Sequence, residues 1–126
     1  MVYGNRKNME INLQKISGLP ISLDTEKMEL KFDGDFAPMK KTEKSLDELK
    51  PFLKNPNNSG PDPVYYVWRG VYLKNEEEKI KNSGLRLDLT LMPPGKIGDE
   101  FVKTAGHYHL PYSEMYFILS GRAYIL

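Results

Sequence analysis

The sequence has 126 residues, with 18 lysines and arginines against 17 aspartates and glutamates and a net charge of +1. This balance argues against nucleic acid or an anionic membrane surface as a partner, and no apolar run approaches the roughly 20 residues of a membrane span. The absence of cysteine excludes disulfides and cysteine-zinc sites, so any bound metal would have nitrogen and oxygen ligands. A cytoplasmic protein is expected.

The N-terminal part is predicted to contain short strands, turns and little helix. Residues 28–32 alternate apolar and polar side chains before Asp33-Gly34, a pattern that indicates a strand followed by a turn. Ser45 and Glu48 have the spacing of a capping box. Because Pro51 removes a backbone donor, it limits any helix that starts at Ser45 to one or two turns.

The middle of the chain is predicted to be a loop followed by two strands. Residues 54–63 are dense in proline, glycine and asparagine, which is typical of a loop. Residues 64–68 (VYYVW) are aromatic and β-branched, which favours a strand. A charged connection covers residues 74–84. Leucines then alternate with other residues over positions 85–92, which predicts a strand with one apolar face.

The C-terminal part is predicted to be extended and to end in a hairpin. Residues 93–95 (PPG) end the leucine strand, and residues 100–109 resume extended structure after a loop around Gly98. Residues 114–119 form the next predicted strand. Ser120-Gly121 is a two-residue hairpin signal that leads into a last strand, residues 122–126.

Many short strands between proline and glycine turns, without an amphipathic helix, predict an all-β domain, either a sandwich or a small barrel. We expect a single domain over residues 1–126. Residues 1–60 supply its first strands, turns and loop, and residues 61–126 supply the part that carries the candidate site.

That site consists of the two histidines of the chain and one nearby glutamate. Side chains alternate along an extended strand, so His107 and His109 are expected to point the same way. With Glu114 they would form a set of two histidines and one carboxylate, which suits iron, manganese, nickel or zinc and leaves coordination positions open. Tyr116 shares a strand face with Glu114. The alternative is that all three are ordinary surface residues.

The spacing of these residues resembles a known family. His-x-His, four residues, Glu, six residues and Gly resembles the first motif of the cupins, a superfamily of jelly-roll proteins. The longer string over residues 94–101 (PGKIGDEF), followed by Thr104 and by residues 106–109 (GHYH), resembles the cupin-type glucose-6-phosphate isomerases of archaea. A weaker similarity reaches back to about residue 62.

The resemblance implies roles for individual residues. His107, His109 and Glu114 would bind one divalent metal ion, with iron expected first, and Glu114 would also be catalytic. The family's sugar-phosphate contacts fall on five positions: Tyr66, Thr90, Thr104, Gly106 and Tyr116.

Strand alternation leaves two of these positions open. Thr90 lies on the polar face of the leucine strand, where it either lines a pocket or is simply solvated. Thr104 would point away from His107 and His109, so it reaches the site only if the chain bulges or bends near Gly106.

The cupin pattern is also expected to be incomplete. Cupins carry a second motif that supplies a further histidine ligand, and no third histidine occurs in the sequence. We therefore expect the jelly roll to be unfinished at its C-terminal side and the chain to be the front part of a longer protein, which alone would be inactive. The apolar side chains of Met115, Phe117 and Leu119 indicate that this face is covered by another sheet or by a subunit, and a homodimer is expected.

The predicted activity is interconversion of glucose 6-phosphate and fructose 6-phosphate, a step of glycolysis and gluconeogenesis, with a small-molecule sugar phosphate as the substrate. Two other functions fit the same residues. One is a metal-dependent cupin enzyme of the oxygenase type, and the other is a sugar-binding cupin without catalysis.

Overall fold

The structure, a computed structural model, describes residues 9–126. The first eight residues of the predicted domain lie outside this range. Within it, antiparallel strands form two three-stranded sheets and one two-stranded hairpin. The first sheet contains β1 (Glu10–Asn12), β2 (Ile21–Asp24) and β3 (Glu29–Phe32), the second contains β4 (Phe36–Lys44), β5 (Tyr65–Leu73) and β6 (Leu89–Leu91), and the hairpin pairs β7 (Lys96–Ile97) with β8 (Glu100–Phe101).

The helices of the described range are short: α1 (Gln14–Ser17), α2 (Leu46–Leu49), α3 (Glu77–Ser83) and the 3₁₀ turns Lys50–Phe52 and Lys74–Glu76. In this part of the chain no helix has the length and apolar character needed to cross a membrane. The all-β prediction is therefore confirmed. The described strands do not close a barrel, because they belong to three separate sheets.

The first sheet is organised by the hairpin between β2 and β3. The Asp24 carboxylate accepts hydrogen bonds from the backbone N–H groups of Glu26 (3.1 Å) and Lys27 (3.0 Å). These bonds, above all the one from Lys27, hold the pKa of Asp24 below its usual value. Strand β3 ends before Gly34, whose φ of 65° is the left-handed conformation that favours glycine. The predicted strand and turn are confirmed.

Two clusters of apolar side chains hold the sheets in place. The larger cluster lies between the two three-stranded sheets and contains the buried residues Leu13, Ile21, Leu23, Leu30, Phe36, Trp68, Val71 and Leu89. The smaller cluster lies beneath α2 and the loop over residues 54–63, and it contains Leu49, Leu53, Val64 and Ile97. The larger cluster is a core of the kind that two packed layers enclose.

The leucine strand is shorter than predicted. Only Leu89–Leu91 pairs with β5, and Leu85 is 74 % exposed. The ladder is interrupted at Gly70 (φ 61°), whose N–H donates to the Asp88 carboxylate (2.9 Å) instead of to a backbone carbonyl. The next N–H, that of Val71, donates to the carbonyl of Leu87 (2.8 Å). The regular pairing therefore stops at this irregularity.

Helix α3 lies where only a charged connection was predicted. Its first turn carries Glu77 and Glu78, its last turn carries Lys81, and Gly84 caps it in a left-handed conformation (φ 71°). Acidic and basic residues at these ends favour the helix dipole. Lys81 forms an i,i+4 ion pair with Glu77 and holds the pKa of that carboxyl below its usual value.

The predicted C-terminal hairpin is wrong. Residues 102–126 contain no regular strand, and Ser120-Gly121 forms a bend between two segments that do not pair. The prediction of extended structure over residues 100–109 holds as a strand only for β8. A strand requires a neighbour for its backbone groups, and no described segment lies alongside residues 114–126 as a paired strand.

Candidate metal centre

The candidate site lies on a segment that packs against the domain at three points. Val102 and Ala105 pack against the smaller core, and the Val102 N–H donates to the Gly95 carbonyl (3.2 Å). Further along, Leu119 packs against the larger core. Residues 106–118 lie between these anchors and carry both histidines and the glutamate.

His107, His109 and Glu114 come together on this segment. One nitrogen from each imidazole and one carboxylate oxygen lie within 4.8 Å of one another. Glu114 Oε1 lies 3.1 Å from His109 Nε2 and 3.5 Å from His107 Nε2. The two imidazole rings are 4.9 Å apart between centroids. This is the side-by-side placement that residues two apart in extended backbone adopt.

The second carboxylate oxygen of Glu114 has a different partner. Glu114 Oε2 accepts a hydrogen bond of 2.8 Å from the Tyr116 hydroxyl. This bond holds the pKa of Glu114 below its usual value, an effect that desolvation opposes and that the nearby His109 and His107 reinforce. The same bond raises the pKa of Tyr116. Glu114 is therefore a carboxylate at neutral pH and Tyr116 a protonated donor.

The three side chains fit a divalent metal ion by their chemistry. Two imidazole nitrogens and one carboxylate oxygen suit a first-row transition metal, and three protein ligands leave positions for water or substrate. The site also opens to solvent, because the His107 side chain is 62 % exposed and those of His109 and Glu114 are about one third exposed, at 37 % and 35 %.

The other predicted site residues are dispersed. Thr90 is exposed and pairs with Val67 across β5 and β6, whereas Tyr66 pairs with Leu91 and packs against the larger core. Directly paired residues share a face of a sheet, so Tyr66 and Thr90 lie on opposite faces.

Nearer the histidines, Thr104 and Gly106 are exposed, and Gly106 has a φ of 76°. This is the left-handed conformation that favours glycine, but the chain has no bend at this residue. Of the five predicted substrate contacts, only Tyr116 is hydrogen-bonded to one of the three clustered side chains in the described structure.

Sequence reasoning missed Tyr112. Its ring lies edge-on to His109, with 6.4 Å between ring centroids. The only signal in the sequence is its position after Pro111, which turns the chain back towards the histidines. Tyr112 is 72 % exposed, so it lies beside His109 at the outer edge of the site.

Comparisons with known proteins agree with the motif. A family model described as glucose-6-phosphate isomerase matches residues 31–126. The glucose-6-phosphate isomerase of Thermococcus litoralis is 42% identical over 67 residues, which cover 52% of this chain and 33% of that enzyme. The enzyme of Pyrococcus furiosus is 40% identical over 67 residues with the same coverage. That of Thermococcus kodakarensis is 31% identical over 115 residues, covering 86% of this chain and 54% of the enzyme.

The aligned part spans between a third and about half of the length of these relatives. No solved structure matches the chain. The family match extends over most of the sequence and includes the second sheet, the β7–β8 hairpin and the segment with the histidines. The chain therefore belongs to the archaeal glucose-6-phosphate isomerase family that its motif resembles.

Proposed function

We propose that the protein interconverts glucose 6-phosphate and fructose 6-phosphate with the help of one divalent metal ion. One observation carries this proposal: His107, His109 and Glu114 bring two imidazole nitrogens and a carboxylate oxygen to one point in a chain of this family. The relatives named glucose-6-phosphate isomerase support the reaction. The two imidazole nitrogens and the carboxylate oxygen support the metal ion.

His107, His109 and Glu114 would hold the ion, which we propose to be iron, with manganese, nickel and zinc as alternatives. A bound ion supplies electrostatic stabilisation to the carbonyl and hydroxyl oxygens of the open-chain sugar. Because the His107 side chain is exposed, the outer side of the site is accessible to a sugar phosphate.

Glu114 is the group placed to move the proton. Conversion of the aldose removes a proton from carbon 2 and delivers one to carbon 1, while the hydroxyl proton of carbon 2 is lost and oxygen 1 gains one. A carboxylate beside the sugar is a suitable acceptor and donor for these carbon-bound protons, and the lowered pKa of Glu114 keeps it ionised. A hydride shift from carbon 2 to carbon 1 would need the same residues to hold the substrate.

The sugar phosphate itself would contact Tyr66, Thr90, Thr104, Gly106 and Tyr116. This assignment rests on the family resemblance of the motifs around them. Since Tyr66 and Thr90 lie on opposite faces of the second sheet, they would contact one ligand only around the end of the sheet or after a rearrangement.

We further propose a cytoplasmic homodimer that has no nucleic acid or membrane partner. The net charge of +1 supports the absence of a polyanionic partner. The exposed apolar side chains of residues 115–118 support a second subunit.

An isomerase assay with metal control tests the proposal. We expect turnover of fructose 6-phosphate by the metal-replete full-length protein, loss of turnover with a chelator, and recovery with Fe²⁺ or Mn²⁺. Glu114→Gln should reduce kcat by about 10²–10⁴-fold, the range for loss of a general acid-base group. Glu26→Gln, at an exposed carboxylate in the β2–β3 turn, is the matched control. Metal-replete protein without turnover would contradict the proposed reaction.

Conversion of glucose 6-phosphate to fructose 6-phosphate in D₂O distinguishes the two routes. Proton transfer through Glu114 predicts that solvent deuterium enters carbon 1 of the product. A hydride shift predicts that carbon 1 receives the hydrogen of carbon 2 and that no solvent deuterium is incorporated there.

A further inference from the structure

The two oxygens of the Glu114 carboxylate have separate neighbours. Oε1 lies near both imidazoles, at 3.1 Å from His109 Nε2 and 3.5 Å from His107 Nε2. Oε2 lies on the other side and accepts from the Tyr116 hydroxyl at 2.8 Å. A carboxylate held in this way presents one oxygen to the histidines and cannot rotate freely.

The backbone explains this division. Glu114 and Tyr116 are two residues apart, and the hydrogen bond between them shows that their side chains lie on the same side of the backbone. The Tyr116 hydroxyl therefore reaches the Glu114 carboxylate within the same short segment, and the contact involves no other part of the fold. The hydroxyl is thus a local restraint on the carboxylate.

We propose that Tyr116 is a positioning residue for Glu114, which holds the carboxylate so that Oε1 alone faces the metal position between His107 and His109. This inference rests on the proposed metal site and gives Tyr116 a role that operates without sugar. Hydrogen bonds of this kind orient metal ligands, and their removal weakens metal affinity by about 10- to 100-fold.

This role differs from a contact with substrate in what it predicts. If Tyr116 only contacts the sugar phosphate, Tyr116→Phe raises KM and leaves metal affinity unchanged. If Tyr116 positions Glu114, the variant loses metal affinity in the absence of any sugar. Metal affinity of the protein without substrate therefore separates the two roles.

Tyr108→Phe is the matched control, because it removes the same hydroxyl from a tyrosine between the two histidines. Tyr108 is 81 % exposed and has no side-chain hydrogen bond in the described structure. Glu114→Gln serves as the reference for direct damage to a ligand. All variants are compared by their thermal unfolding without metal, so that loss of fold is detected separately.

The experiment is a competition titration of Zn²⁺ between the protein and a chromophoric chelator. We expect Kd to rise about tenfold or more in Tyr116→Phe, to rise further in Glu114→Gln, and to stay unchanged in Tyr108→Phe. An unchanged Kd in Tyr116→Phe, with normal binding by the wild type, would overturn the positioning role alone. Failure of the wild type to bind Zn²⁺ or Mn²⁺ would overturn both this role and the proposed metal site.

Discussion

Gly98 occupies the turn between β7 and β8, where another segment approaches closely. Its φ is 66°, and a Cβ atom at this position would lie 1.9 Å from Asn58 Nδ2. Gly60 is similarly close, since its Cβ would lie 2.7 Å from Ile97 Cγ1. The loop over residues 54–63 thus packs directly on the hairpin that precedes the histidines, and two glycines permit the contact.

Gly98→Ala should destabilise the protein more than Gly84→Ala does. Both glycines have positive φ, at 66° and 71°, but nothing lies within 4 Å of a Cβ at Gly84. The conformation alone costs about 1–2 kcal/mol for a residue with a side chain, and only Gly98→Ala must also displace Asn58. Urea unfolding of both variants measures the difference. The double variant Gly98→Ala, Asn58→Ala should recover that difference, and equal losses in the single variants would show that the contact with Asn58 is unimportant.

Among the elements, α2 is the one whose start depends most clearly on side chains. Ser45 Oγ accepts the Glu48 N–H (3.2 Å), and the Glu48 carboxylate accepts the Ser45 N–H (2.9 Å). This confirms the predicted capping box. Leu49, at the end of α2, is fully buried in the smaller core, so the cap also fixes a core residue.

Ser45→Ala should lower the free energy of unfolding by about 1 kcal/mol, the usual cost of losing such a cap. Ser45→Asp keeps an acceptor and should lose less. Ser59→Ala, in the loop over residues 54–63, is the control. The hydrogen bond from the Ser45 N–H holds the pKa of Glu48 below its usual value. The stability that this bond contributes is therefore fully present above the ordinary pKa of glutamate and is lost as the pH falls through the lowered pKa. A loss in Ser59→Ala as large as in Ser45→Ala would contradict this account.

Elements were predictable where their signals are local. The capping box at Ser45 and the turn at Gly34 depend on residues a few positions apart, and both are confirmed. Helix α3 has one apolar residue, Ile80, so no hydrophobic period marks it. The predicted strand at residues 114–119 is wrong for the opposite reason. Its sequence pattern was present, but a strand also needs a neighbour to pair with, and no local pattern specifies that neighbour.

The candidate site divides in the same way. His107 and His109 are two residues apart, so alternation was sufficient to predict that their side chains point the same way. Glu114 reaches them only after the bends at residues 110–111, and no alternation along one strand predicts that it does. The relation between Tyr66 and Thr90 depends instead on the register between β5 and β6. A shift of one residue in such a register exchanges the faces of every side chain, and no feature of the sequence determines it.

At the scale of the whole molecule, residues 115–118 form an exposed apolar surface. Met115 and Phe117 are more than three-quarters exposed, at 79 % and 77 %, and Tyr116 and Ile118 on the alternate face are at least half exposed. Apolar side chains on both faces are typical of a strand that is covered on both sides. The proposed homodimer would supply such cover.

Phe117→Ala should therefore weaken self-association. Burial of a phenylalanine side chain contributes about 1.5–3 kcal/mol, so its loss should raise the dimer dissociation constant at least about tenfold. Ile16→Ala is the matched control, because Ile16 is also largely exposed (64 %) but lies on α1 in the first part of the chain. Light scattering over a dilution series measures both variants. A monomeric wild type, or equal weakening in the two variants, would contradict burial of residues 115–118 in a dimer interface.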